Sequence, residues 1–237
     1  MKKFTFTIIL SILAIATVSA EGLMRYELDV NDFSELKVVE GVNVIYKANA
    51  DSAGRAVFVA EDKIASALTF NNSNNRLSIR LLGKDIAGIP VPTVTVYSKF
   101  LTKVENSGDS TVRITGIVPC PEFRARLIGN GRLIVDNLDV THIDGSIDTG
   151  NGQLVLHGKV KTAKLSNTGK GTIQADNLVT SEIKCVMIGS GTIGCQVKKK
   201  LSVSGISSGK IYYKGNPAEI KNRAVGVSLI PLDGENK

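Results

Sequence analysis

From residue 108 to residue 213, apolar residues come in pairs spaced two apart, and each pair follows a glycine doublet. The pairs are Val112/Ile114, Leu133/Val135, Leu154/Leu156, Ile173/Ala175, Ile193/Cys195 and Ile211/Tyr213. The doublets are Gly129/Gly131, Gly150/Gly152, Gly169/Gly171 and Gly189/Gly191, with degenerate copies at Gly108 (NSGDST) and Gly209 (ISSGKI). A second apolar column, Phe123, Ile143, Ala163, Ile183 and Leu201, returns every 18 to 20 residues. Two positions beyond its members stand Ala125, Gly145, Leu165, Cys185 and Val203. A spacing of two puts alternate side chains on one face of a strand. A fixed period marks a stacked repeat whose single unit cannot bury its own apolar face. Each unit reads as strand, tight glycine turn, strand, polar turn and a shorter third segment. Asp136-Asn137 and Asp176-Asn177 supply the clearest polar turns, because Asp and Asn bond their own backbone there. Glycine suits the corner because it takes positive φ without steric cost. Three such sides, at about 3.3 Å per residue, close one coil of a parallel β-solenoid. No stretch after residue 20 carries a convincing helical period.

Residues 23–100 alternate too, in longer and less regular runs: 36–46, 56–59, 76–80 and 94–97. The NNSNN segment at 71–75 reads as a hairpin or loop, and residues 85–92 as a Gly/Pro-containing connection. These strands are expected to stack on the first coil and cap it, since solenoid ends need protection.

The first 20 residues follow a different logic. Lys2 and Lys3 precede an apolar run from Phe4 to Val18, and Val18-Ser19-Ala20 fits a small-residue cleavage site. The run is short for a membrane span. A cleaved signal peptide, and therefore export, is expected.

Composition narrows the function classes. The chain has no Trp, five Tyr and seven Phe, which argues against a sugar groove lined by stacking rings. The three cysteines, Cys120, Cys185 and Cys195, have no metal spacing, and neither His142 nor His157 has a ligand set around it. Cys185 and Cys195 fall on inward columns on two sides of one coil, as two small buried hydrophobes or a disulfide. No cofactor or metal is expected. Export, the lack of Trp and the lack of any recognised motif argue against nucleic acid.

Charge is uneven. Residues 157–221 hold eleven lysines against three acids, Asp176, Glu182 and Glu219. Lys198, Lys199 and Lys200 form the densest point, at a turn, and Lys159 and Lys161 fall at the equivalent turn two coils earlier. Stacked coils would align them into a strip. The strip suits an anionic glycan or an envelope surface; equally, lysines keep a repetitive β-fold soluble and block edge pairing.

Parallel β-helices also host polysaccharide lyases and hydrolases, whose sites need clustered carboxylates on one outer face. The candidates are Asp109, Asp136, Asp148 and Asp176, with Asp136 and Asp176 in equivalent turns. His142, with Asp144 and Asp148 in its coil, makes the one His-x-Asp sequence. Turn chemistry accounts for the aspartates equally well, and no catalytic residue is assigned.

The order of segments resembles the autotransporter-adhesin head GIN domain family of exported bacterial proteins. The resemblance rests on FSELKVVEGVNVIY (33–46), AVFVAEDKI (56–64), RLSIRL (76–81), VTVYSKFLTKVENSGDSTV (94–112), the glycine-doublet coils and GKIYYKGNP (209–217). It implies an all-β, right-handed parallel β-helix, export and a role at the cell surface, and carries over no catalytic residues. The expected organisation is a signal peptide over 1–20, an N-terminal β region over 21–100, β-helix repeats over 101–217 and a C-terminal cap and tail over 218–237. The expected function is that of a non-enzymatic, adhesin-like or envelope-associated binding or structural module, periplasmic or at the cell surface. A glycan-active enzyme is the alternative. Residues 218–237 are too few for a translocating β-barrel, so a literal autotransporter role is not expected.

Overall fold

The structure, a computed structural model, describes residues 22–82 and 91–232. The expected signal peptide and most of the 85–92 connection lie outside the described residues. The chain forms a β-solenoid of about six turns, in which 17 strands belong to one continuous curled sheet.

The first strands are β1 (Met24–Asp29), β2 (Glu35–Val39), β3 (Asn43–Ala48) and β4 (Arg55–Ala60). A helix, α1 (Asp62–Ala67), leads into β5 (Leu68–Ser73), β6 (Arg76–Leu81), β7 (Thr93–Ser98), β8 (Lys103–Asn106) and β9 (Thr111–Ile114). The coils follow as β10 (Glu122–Ile128), β11 (Arg132–Thr149), β12 (Gln153–Asn167), β13 (Thr172–Met187) and β14 (Thr192–Ile206). The chain closes with β15 (Lys210–Lys214), β16 (Glu219–Val225) and β17 (Ser228–Pro231). The helix departs from the expectation of none. Its six residues bury only Ile64, too short a run to register a period of 3.6.

Each coil from β11 to β14 is one long strand that bends at its corners and breaks only at the glycine doublet. The expected separate short sides are bends within it. At the Asp136-Asn137 corner Asn137 takes φ +57, and the parallel register shifts there between Val135 and Leu138. An isolated left-handed residue turns the chain while leaving the backbone able to bond the next coil.

The two apolar columns stack as the periodicity predicts. Leu133 pairs with Leu154, Leu154 with Ile173, Ile173 with Ile193 and Ile193 with Ile211, and all five are fully buried. On the other face Phe123, Ile143, Ala163, Ile183 and Leu201 are aligned and buried in the same way.

The doublets do two different jobs. The first glycine turns the chain, as at Gly150 with φ +85. The second is required by axial stacking. A Cβ on Gly152 would lie 2.7 Å from the Gly131 carbonyl oxygen, and one on Gly171 would lie 2.5 Å from that of Gly152. Coils about 4.8 Å apart leave no room for a methyl between them.

Asparagine reinforces two of these corners. The buried Asn106 amide donates to the carbonyls of Ser110 (2.8 Å) and Arg132 (3.2 Å), and its oxygen accepts from the Gly108 N–H. Asn167 repeats the pattern with Gly171, Thr192 and Gly169.

Towards the N-terminus, order in space departs from order in sequence. One face stacks β5–β6–β2–β8–β10, and the other stacks β1–β4–β7–β3–β9–β11. β2 and β3 are therefore a coil placed between β6/β7 and β8/β9. The β1–β4, β4–β7 and β5–β6 pairings are antiparallel and close that end.

Candidate functional site

The outward positions of the coils stack as regularly as the inward ones, so surface charges line up in rows. Lys159, Lys161, Lys198 and Lys199 are exposed at one corner. Val160 pairs with Thr180, which pairs with Val197, and Thr162 pairs with Glu182, which pairs with Lys200. Lys161 is thus separated from Lys198 and Lys199 by the coil carrying Ser181. Both lysines fit because the register shifts there, giving β14 an extra residue at this bend. A shallow concavity of about 600 Å³ borders the corner, lined by Lys159, Lys161, Pro119, Cys120 and Pro121 among others.

Lys200 sits apart from this strip. It lies in a row between Glu182 and Glu219 on the adjoining face, and its Nζ is 3.0 Å from the Glu219 carboxylate. There it joins a second basic group that sequence reasoning missed. Lys164 pairs with Lys184, Lys184 with Ser202 and Ser202 with Lys221, while Ser204 pairs with Arg223 in the next row. A concavity of about 290 Å³ is lined by Lys184, Lys200, Lys221, Arg223, Ser202 and Ser204. Glu219 bonds Lys200 and Lys221; Lys184 and Arg223 have no acidic partner among the described residues. Hydrogen bonding to Lys221 and Lys200 holds the Glu219 carboxyl below its ordinary range. Like charges opposite each other on neighbouring strands are unfavourable, and Lys164 beside Lys184 is such a pair. The repeat period applied to outward residues would have found this row.

The description "Putative auto-transporter adhesin, head GIN domain" matches residues 32–217. The chain belongs to the head GIN domain family. A comparison with curated proteins found no match. Among solved structures, a putative adhesin from Bacteroides fragilis NCTC 9343 is 19% identical, with 90% of this chain and 97% of that chain covered and a TM-score of 0.79. A putative lipid binding protein from Parabacteroides distasonis ATCC 8503 is 18% identical, covers 90% and 98% of the two chains and has a TM-score of 0.67. A putative adhesin from Parabacteroides merdae ATCC 43184 is 17% identical, covers 90% and 97%, and has a TM-score of 0.66. At these identities the likeness is one of fold. Within the family description, adhesion is named and catalysis is not.

The carboxylates of this head GIN domain are dispersed. Asp136 bonds Arg113 (3.0 Å) from the coil before and His157 Nδ1 (2.8 Å) from the coil after. Asp176 pairs with Lys214 (3.2 Å), Asp144 with Lys164 (3.2 Å) and Asp148 with Arg126. His142 Nδ1 bonds Thr162 Oγ1 at 2.8 Å, with no bond to Asp144. Asp136 and Asp176 form no dyad, since Asp136 has basic partners on the coils before and after it and Asp176 bonds Lys214 two coils on. The His157–Asp136 pair was not anticipated. Among the described residues no hydroxyl or thiol bonds the His157 ring, so nothing is placed for it to activate.

Cys185 and Cys195 are both fully buried and are free thiols. Hydrogen bonding between them, together with burial, pushes the Cys185 thiol well above its ordinary value. Cys120 is half-buried, its Sγ 3.3 Å from the Glu122 carbonyl oxygen. Among the described residues no His/Cys/Asp/Glu group has the arrangement to hold a metal ion, and no helix is long and apolar enough to cross a membrane.

Proposed function

We propose that this chain is an exported, non-enzymatic β-solenoid of the bacterial periplasm or cell surface, which binds an anionic glycan or envelope surface along its later coils. The observation that carries this reading is the pairing of two basic features, the corner of Lys159, Lys161, Lys198 and Lys199 and the adjoining face of Lys184, Lys200, Lys221 and Arg223. Within these, only Lys200 and Lys221 have an acidic partner among the described residues. A polymer lying along the stack would meet the corner lysines at every second coil, about 10 Å apart, and a cation at each coil of the adjoining face, about 4.8 Å apart. Ser202 and Ser204 would supply hydroxyl donors between the cations. The family description, which names an adhesin, supports the same direction.

Retention on heparin and lipopolysaccharide columns tests it. Exposed charges are screened over about 10 Å at 0.1 M salt, so elution should shift strongly with ionic strength. The triple variant Lys198→Ala/Lys199→Ala/Lys200→Ala and the pair Lys184→Ala/Arg223→Ala should both elute earlier than wild type. Equal elution of all three at low salt would reduce the lysines to a solubility device. Turnover of a bound polysaccharide would favour the glycan-active enzyme instead.

A further inference from the structure

The solenoid interior ends differently at its N-terminal end. There the two faces are closed by β1–β4 on one side and β5–β6 on the other, and α1 spans the gap between β4 and β5. Beside α1, along Asp62, Ala65 and Ser66, runs a groove of about 360 Å³ that opens to solvent. Its apolar wall is a file of three rings, with Tyr26 stacked on Phe58 at 5.2 Å and Phe58 on Phe70 at 5.8 Å. Leu28, Leu68 and Ala65 complete that wall, while Asp62, Ser66 and Thr69 form a polar rim. Among the described residues the other ring contact is the pair Phe33 and Tyr46, so these three rings form the longest aromatic file.

The groove is open along its polar rim and apolar at its floor. It falls within the 300–1,000 Å³ typical of small-molecule sites, which combine apolar walls with a few convergent polar groups.

The rim selects the ligand. The Tyr26 hydroxyl donates to the Asp62 carboxylate, tying α1 to β1. Burial, then the hydrogen bond to Asp62 and its charge, push the Tyr26 hydroxyl up to about 12, so it stays protonated and its donation persists across physiological pH. With its partner thus fixed, Asp62 keeps lone pairs for a second donor at the entrance. Asp62 is the one charged residue of the groove lining, so a negative end group would meet its carboxylate there. We infer that the groove beside α1 binds the alkyl chain of a small amphiphile whose polar end is neutral or cationic, with the chain against Tyr26, Phe58 and Phe70 and the end group at Asp62. This site is at the opposite end of the stack from the basic face and does not depend on it.

The test uses three decyl probes below their aggregation thresholds: 1-decanol, decylamine and decanoate. Calorimetric titration of the wild-type chain should give one site for decanol and decylamine, and at least tenfold weaker binding of decanoate. Ala65→Phe, which fills the space from the half-buried side of α1, should abolish binding while the circular dichroism spectrum is kept. Asp62→Asn should bring decanoate and decylamine to within about threefold of one another. The proposal is overturned if wild type binds neither decanol nor decylamine, if decanoate binds as tightly as decylamine, or if a folded Ala65→Phe variant binds like wild type. If that variant does not fold, loss of the charge preference in Asp62→Asn supports the site and its persistence overturns it.

Discussion

Between Glu122 and Ile206 each coil lies on the one written just before it, whereas between Met24 and Ile114 the chain places β2 and β3 between coils that come later in the sequence. The same parallel pairings occur in both regions, and the same aliphatic columns run through both. What differs is the sequence distance over which contacts form. In the coils it is one period, so each unit is stabilised by its nearest neighbours. In the N-terminal region β2 meets β6 through a pair such as Glu35 and Arg76, bonded at 2.7 Å across 41 residues. Stacking therefore needs no local repetition, but repetition makes stacking a property of each unit.

The sharpest way to break the coil side is at the centre of its ladder. Leu154→Asp would put an unpaired carboxylate between Leu133 and Ile173, where no exposed surface is left. The expected loss is above about 4 kcal/mol, in the range reserved for buried uncompensated charge. Urea denaturation measures it, and hydrogen exchange should show β11, β12 and β13 opening together while β5 and β6 stay protected. A wild-type midpoint would refute the ladder.

A backbone-level test comes next. Gly171→Ala would drive a methyl to 2.5 Å from the Gly152 carbonyl oxygen and 3.1 Å from Ile147 Cδ1, with backbone on one side unable to yield. A cost of about 1–3 kcal/mol is expected, as for overpacked cores. Gly116→Ala is the control, since nothing lies within 4 Å of its Cβ position, and it should stay within about 0.5 kcal/mol of wild type. Equal effects at both would mean that the coils are not held by close axial approach.

Asparagine offers a probe common to both regions. Asn106→Ala and Asn167→Ala each remove an amide that satisfies two carbonyls and one N–H at a glycine corner. Each should cost about 1–3 kcal/mol, the penalty for leaving buried polar groups unpaired. Comparable thermal shifts would make the corner one device used in both halves; a loss confined to Asn167→Ala would restrict it to the coils.

These contrasts also explain what could be read from residues alone. The columns from Leu133 to Ile211 and from Phe123 to Leu201 were legible because the period equals one coil. The lysines at 159, 161, 198 and 199 are legible for the same reason, because they fall at a turn, while Lys184 and Arg223 are not, because they lie at outward positions within a side, where no turn residue marks the register. Lys200 was assigned to the strip because three adjacent lysines look alike in a string, although alternation turns the last towards Glu219. The His157–Asp136 pair likewise spans one coil, at a separation of 21 residues. The order β6–β2–β8 was not legible, since alternation fixes which face a side chain takes and not which strand lies beside it. α1 and the aromatic file beside it share that limit. Tyr26, Phe58 and Phe70 belong to three strands and meet only once the end is closed.

The smallest expected effect lies where the two regions join. Glu105 on β8 is nearly buried, and its carboxylate meets Lys37 of β2 at 2.9 Å, Arg126 of β10 at 3.2 Å and the Ser107 hydroxyl at 2.9 Å. Burial opposes its ionisation, but hydrogen bonds from Lys37 and Ser107 and the charges of Lys37 and Arg126 outweigh that and hold its carboxyl below the ordinary 4.5. A carboxyl whose folded pKa is depressed adds stability that is fully present above the unfolded value and is lost as pH falls through the folded one. Glu105→Gln removes that contribution at every pH. Wild type should therefore melt above the variant at pH 7, and the gap should close as pH drops below about 4.5 and on through the folded pKa. Because Lys37 and Arg126 are themselves well exposed, solvent screening limits the effect. The difference at pH 7 should not exceed about 4 °C, the shift that 1 kcal/mol produces in a chain of this size. Differential scanning calorimetry from pH 3 to pH 7 measures it. A gap that stayed constant across that range would mean that Glu105 joins β2 to β10 by shape and neutral hydrogen bonding, and that the junction between the interleaved and sequential coils carries no charge-dependent clamp.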